Sequence, residues 1–278
     1  MTHTPPAPRD ETALITGASG GIGYELARLF ARDGYALILV ARSVPKLEAL
    51  ARDMTARYGA RATVIPADLS RPESIPAIAT ALREAGLTVD ILVNNAGVGR
   101  AGAFAATEAA AEAAMLQLNV GALVALTALL LPPMVQRGHG RILNVASTAA
   151  FVPGPFMAGY YASKAYVLSL SEALASELRG TGVTVTTLAP GPTHTGFQAA
   201  ANLQRSALFR TGNVMDAATV ARAGYRGLMQ GKRLVVPGVM NKLLVFGTRF
   251  IPRRATAAIA RWLNEPKATP PAGTRAGQ

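Results

Sequence analysis

The 278-residue chain contains no cysteine. That excludes a disulfide scaffold, a thiolate zinc site, an iron–sulfur cluster and a cysteine nucleophile. Histidine is almost as scarce, with three in all, so a His-rich metal site is not expected either. Acidic residues are few: 16 Asp and Glu stand against 28 Lys and Arg, a formal charge of +12. Such a balance suits nucleic acid, an anionic membrane surface or a phosphorylated small molecule. No zinc-finger, RNP or basic-zipper pattern is present, and the Tyr and Phe residues are not interleaved with basic runs, which argues against nucleic acid. Long apolar runs are missing too. The longest, residues 120–135, is interrupted by Pro132 and Pro133 and falls short of the ~18 residues that mark a membrane span, so a buried helix is expected there. Residues 1–10 are proline-rich and polar, without an apolar signal stretch; they are expected to be disordered, and the protein to be cytoplasmic.

Half of the residues are hydrophobic and 16% charged, enough apolar material for one substantial core. Short apolar runs at 13–16, 35–41, 62–65, 90–94, 141–146, 183–188 and 233–236 read as strands. Helical segments alternate with them, at 44–58, 72–85, 107–131, 160–179 and 216–230, after a first helix ending near Asp33. Runs such as YALILVA, residues 35–41, are apolar throughout, the pattern of strands covered on both faces. The expected fold class is α/β, a doubly wound, mostly parallel sheet of about seven strands with helices on both faces. Ligands of such sheets bind beyond the carboxyl ends of the strands.

The chemistry-bearing residues fall at those ends. The first strand runs into Thr16-Gly17-x-x-x-Gly21-x-Gly23 and then a helix, a turn whose backbone N–H groups can approach a pyrophosphate at the positive end of the helix dipole. Asn94-Asn95-Ala96-Gly97 closes the fourth strand, Asn119 lies within the long fourth helix, and Ser147 follows the fifth strand. Tyr160 and Lys164 form Tyr-x-x-x-Lys, and Pro190-Gly191 follows the sixth strand, with Thr195 four residues beyond. In this order and spacing the chain resembles the short-chain dehydrogenase/reductase family from about residue 12 to residue 236.

The resemblance implies a Rossmann-type catalytic domain over residues 11–237, including a substrate loop at 193–213. It also implies a dinucleotide cradle of Gly17, Ser19, Gly20, Gly21, Ile22, Gly23, Asp68, Leu69, Asn95, Ala96, Gly97, Pro190, Gly191, Thr193 and Thr195, with Tyr160 and Lys164 at the nicotinamide end. Asn119, Ser147, Tyr160 and Lys164 match the family's catalytic tetrad, in which the Asn holds a water linking the Lys to solvent. A homodimer or homotetramer, packed through two long helices, is implied as well. The residues themselves support the chemistry. Tyr160 and Lys164 share a helix face, and an ammonium near a phenol draws its pKa from about 10 toward neutrality. Ser147 can hold a substrate oxygen. Tyr161 lies about 100° around the helix from Tyr160 and is not four residues from Lys164.

The second strand ends Val40-Ala41-Arg42-Ser43, with no acid to repel a 2′-phosphate and with Arg42 able to fork onto one, so NADP(H) is expected over NAD(H). Ala149, Phe151, Phe156, Met157 and Phe197 are expected to line a hydrophobic substrate pocket, implying carbonyl and alcohol interconversion on an apolar small molecule. A catalytically silent NADP(H)-sensing protein of the same fold remains the alternative. A sugar-nucleotide dehydratase or epimerase fits less well, since its relatives carry another Gly spacing and a larger C-terminal domain. Residues 238–265 form a basic amphipathic extension. It either covers the pocket, packs on a partner subunit, or lies on an anionic membrane through 238–254. Residues 266–278 read as a disordered tail.

Overall fold

The computed structural model describes residues 9–196 and 214–265. Its first half alternates β1 (Thr12–Thr16), α1 (Gly21–Arg32), β2 (Ala36–Ala41), α2 (Val44–Tyr58), β3 (Ala62–Pro66), α3 (Ser74–Glu84) and β4 (Ile91–Asn94). Next come α4 (Ala109–Leu116), α5 (Ala122–Arg137), β5 (Gly140–Val145), α6 (Ala158–Glu177) and β6 (Val183–Leu188). Two short strands, β7 (Thr193–His194) and β8 (Met215–Asp216), pair with each other, and α7 (Ala217–Met229), β9 (Leu234–Val235), α8 (Val239–Gly247) and α9 (Arg253–Asn264) complete the chain.

Seven strands form one parallel sheet in the order β3-β2-β1-β4-β5-β6-β9, as the seven apolar runs imply. β1 and β4 are buried at every residue because helices cover both faces, and this is why their sequences do not alternate. One core joins α1, α2 and α7 to the sheet through Leu26, Phe30, Leu47, Met54 and Leu228. The other joins α3 and α5 through Ile78, Leu82, Leu126 and Met134. The chain moves outward one way from β1 and the other way from β4, so the crevice between their carboxyl ends is the topological switch point.

One expectation needs correction. The helix expected to stop at residue 131 continues to Arg137 with Pro132 and Pro133 inside it, and Gly138 ends it in the left-handed conformation at φ 68°. Each proline forfeits one N–H bond to the residue four back, and the buried stripe Ala122, Leu126, Leu130, Met134 holds the helix on its core in spite of that loss. By length and composition Ala109–Arg137 would suffice to cross a membrane, yet that stripe lies against the sheet. The C-terminal extension forms two short helices, α8 and α9, with Pro252 at the N-cap of the second. The expectations for residues 1–8, 197–213 and 266–278, Phe197 among them, lie outside the described residues.

Candidate active site

A cavity of about 540 Å³ opens along the carboxyl ends of the strands. Arg42, Ser43, Lys46, Asp68 and Leu69 line one end, while Ser147, Ala149, Met157, Tyr160 and Tyr161 line the other. Between them lie Gly17, Ser19, Gly20, Gly21, Ile22, Asn95, Ala96 and Gly97, with Pro190, Gly191, Thr193 and Thr195 on the β6 side.

The glycine turn is shaped by close approach. Gly17 and Gly21 adopt left-handed φ of 64° and 56°. A Cβ on Gly23 would collide with the Gly17 carbonyl and stand 2.5 Å from Nδ2 of Asn95, so this glycine lies behind the cavity and lets α1 press onto β1. The Thr16 hydroxyl accepts the N–H groups of Asn95 (2.9 Å) and Ala96 (3.0 Å), and Nδ2 of Asn95 donates to the Thr16 carbonyl at 2.9 Å, tying the β1 and β4 ends together. α1 opens with no side-chain cap and no acid in its first turn, which leaves its first N–H donors for an anion. A glycine cradle at an uncapped helix N-terminus, with Arg42 and Lys46 beyond, fits a nicotinamide dinucleotide. Asp68 is ordered by its own turn: its Oδ1 accepts from the Ser70 hydroxyl (2.7 Å) and N–H (3.1 Å), which holds the carboxyl below its usual range.

β5 delivers Ser147 and α6 delivers Tyr160 and Lys164, starting two residues before the Tyr. The Ser147 hydroxyl accepts the Ala149 N–H at 3.1 Å, approaches the Pro190 carbonyl at 3.4 Å and hydrogen-bonds Tyr160. Lys164 is 5% exposed; its Nζ donates to the Val145 carbonyl at 2.9 Å and lies 5.9 Å from the Tyr160 ring centroid, just behind the cavity wall. Burial drops its pKa from 10.5 to about 8. Burial also pushes the Tyr160 phenol up to about 12, with the Ser147 hydrogen bond opposing. The direction is opposite to the expected shift toward neutrality, because desolvation of the phenolate is the largest influence on this group.

Asn119 occupies a π-helical turn, Gln117–Gly121, between α4 and α5. Its side chain clamps Val98, accepting the N–H and donating to the carbonyl, both at 2.9 Å, and donates to Ser163 Oγ at 3.1 Å. A Cβ on Gly97 would lie 3.1 Å from Oδ1 of Asn119 and 3.4 Å from Nζ of Lys164, so the glycine keeps the space between them open.

Of the expected substrate-pocket residues, Ala149 and Met157 line the cavity; Phe151 and Phe156 do not. Phe151 ends a 3-10 turn, Thr148–Phe151, half-buried, and Phe156 takes a left-handed φ of 63° with Arg261 of α9 5.2 Å over its ring. Three contributors were not assigned to the site from the sequence. Lys46 lies in the first turn of α2, near Arg42 in the chain, a proximity that was available as a signal. Tyr161 lines the cavity and donates to Oδ1 of Asn264 at 3.3 Å, and Asn264 in turn donates to the Pro155 carbonyl at 3.1 Å. No local signal marks Asn264, since its role needs α9 to return more than 100 residues along the chain.

A switch-point crevice with a glycine cradle at one wall and a hydrogen-bonded Ser–Tyr pair at the other defines a class, the nicotinamide-dependent oxidoreductases of the doubly wound fold. Residues 11–206 match the model of the short chain dehydrogenase family, and the chain belongs to that family. The structure superposes on a short-chain dehydrogenase from Sphingobium yanoikuyae in complex with NADPH, with a TM-score of 0.78 and 34% identity, covering 86% of this chain and 93% of that one. The bulky-bulky ketone specific alcohol dehydrogenase from Comamonas testosteroni gives 0.73 and 33%, covering 89% and 96%. A very-long-chain 3-oxoacyl-CoA reductase of Phaeosphaeria nodorum is 39% identical over 182 residues, 64% of this chain and 53% of that protein, so the chain spans about half of that relative's length.

Proposed function

We propose that this chain is an NADP(H)-dependent reductase that interconverts a carbonyl and an alcohol on a hydrophobic small molecule. The observation that carries the reading is the Ser147–Tyr160 hydrogen bond on the wall of the cavity that the glycine turn opens. Bound NADP(H) supplies hydride transfer. The Ser147 hydroxyl, positioned by Ala149 and Pro190, holds the substrate oxygen. Tyr160, kept in its acid form at pH 7 by burial, gives its proton to that oxygen as it gains charge, the role that reduction requires. Lys164, titrating near 8, restores the proton, and the gap kept by Gly97 beside Asn119 gives water a path to it.

Three features support NADP(H): Ala41 stands where an acid would repel a 2′-phosphate, Arg42 and Lys46 flank that end of the cavity, and the Sphingobium relative holds NADPH. An apolar substrate is supported by Val98, Ala149, Met157 and Tyr161 at the other end and by the bulky-ketone and 3-oxoacyl relatives. Tyr160→Phe should slow NADPH-dependent carbonyl reduction by about 10²–10⁴-fold while leaving NADPH binding intact. The readout is NADPH absorbance across a panel of ketones, and an unchanged rate removes Tyr160 from its role.

A further inference from the structure

Helices α8 and α9 are built inside out. The buried residue of α8 is polar, Asn241, whereas Val239, Met240, Leu243, Leu244 and Phe246 are exposed. α9 buries Thr256, Ala260 and Asn264, a stripe of small and polar residues four apart, and exposes Ile259 and Trp262; Phe250 and Ile251 are exposed in the turn between the helices. The exposures are large, 74% for Phe250, 62% for Leu244 and 61% for Trp262. Surface helices of a globular domain show the opposite polarity, and nine bulky apolar side chains within 24 residues exceed ordinary scatter.

The inner contacts explain this orientation. Nδ2 of Asn241 donates to the Pro237 carbonyl at 2.8 Å and its side chain abuts Gly191, while Asn264 holds Tyr161 and Pro155. The polar anchors face the site, so the apolar residues face outward. Charge then selects what they meet. Residues 217–264 contain nine Lys and Arg and no Asp or Glu. Lys242, Arg249, Arg253, Arg254 and Arg261 are exposed among the apolar side chains, with the Arg249 guanidinium 5.9 Å from the Phe246 ring centroid. A second copy meeting through the same face would set these cations against one another, and across residues 217–265 the one acid is Glu265, already 3.5 Å from the Arg261 guanidinium. Anionic headgroups match the cations, and the acyl boundary beneath takes up the aromatic and aliphatic groups.

We propose that α8 and α9 form a peripheral docking face for an anionic lipid bilayer. Docking is independent of the reaction proposed above and is read without turnover. Sedimentation of the full chain with vesicles is the test. Phosphatidylglycerol vesicles should bind about tenfold or more better than phosphatidylcholine vesicles, given several cations near the surface. Raising salt to about 1 M, where the Debye length falls to about 3 Å, should weaken binding. Leu243→Glu with Phe250→Glu, and separately Arg249→Gln with Arg253→Gln and Arg254→Gln, should each reduce binding with the melting temperature unchanged. No binding of the unaltered chain to phosphatidylglycerol at low salt overturns the proposal. Equal binding by the Leu243/Phe250 variant does so too. A third contrary result is light scattering in which that variant breaks an oligomer while no form binds vesicles, which assigns the face to a second copy.

Discussion

Lys164 carries an ammonium where solvent scarcely reaches, and its protonation is therefore coupled to folding. Below about pH 8 the folded and unfolded chains both hold the proton, and the fold bears the full cost of burying the charge. Between about 8 and 10.5 the unfolded chain binds more protons than the folded one, so this contribution rises with pH and is lost again as pH falls through about 8. Lys164→Met should accordingly be more stable than the parent at pH 7, by up to roughly 3 kcal/mol at about 1.4 kcal/mol per pH unit. Thermal melts should show that gap closing as pH approaches 10.5. A variant melting lower at pH 7 would mean that the bond to the Val145 carbonyl outweighs desolvation. At this scale the pairing of Tyr160 with Lys164 was legible from their spacing of four. The pKa directions were not, because burial is a property of everything packed around a side chain.

The strand–turn–helix unit of β1 and α1 sorts its glycines by contact. Gly20 has extended backbone and nothing within 4 Å of a Cβ, whereas a Cβ on Gly23 strikes the Gly17 carbonyl and Asn95. Gly23→Ala should therefore cost about 1–3 kcal/mol of stability and most of the dinucleotide affinity, as overpacking does. Gly20→Ala should stay within about 0.5 kcal/mol. Urea melts and NADPH fluorescence titration check both, and equal effects at the two positions would refute the packing argument. Elements with a full apolar face, α2 and β6 for instance, were read with their boundaries correct. The end of α5 was cut short because Pro132 and Pro133 outweighed, on sequence alone, a buried stripe visible only against the sheet. α9 escaped notice because its buried stripe of Thr, Ala and Asn is not hydrophobic.

For the molecule as a whole, dinucleotide binding and folding are linked. NADPH at 100 times its Kd should add about 2.7 kcal/mol of stability. For a chain of this size that is roughly 5–10 °C in Tm. NADH at the same concentration should raise Tm less, and Arg42→Ala with Lys46→Ala should erase the difference; thermal shift measurements decide it, and equal shifts in the unaltered chain count against NADP(H) preference. The sequence by itself determined the doubly wound sheet, its glycine turn and the order of its motifs, because apolar periodicity, glycine spacing and helix register act over neighbouring residues. Tertiary structure alone decided that Asn264 anchors α9 beside Tyr161, that Phe151 and Phe156 stay out of the cavity, and that the C-terminal helices expose their apolar side chains. Those outcomes depend on which distant segments meet and exclude water, and no local pattern encodes that.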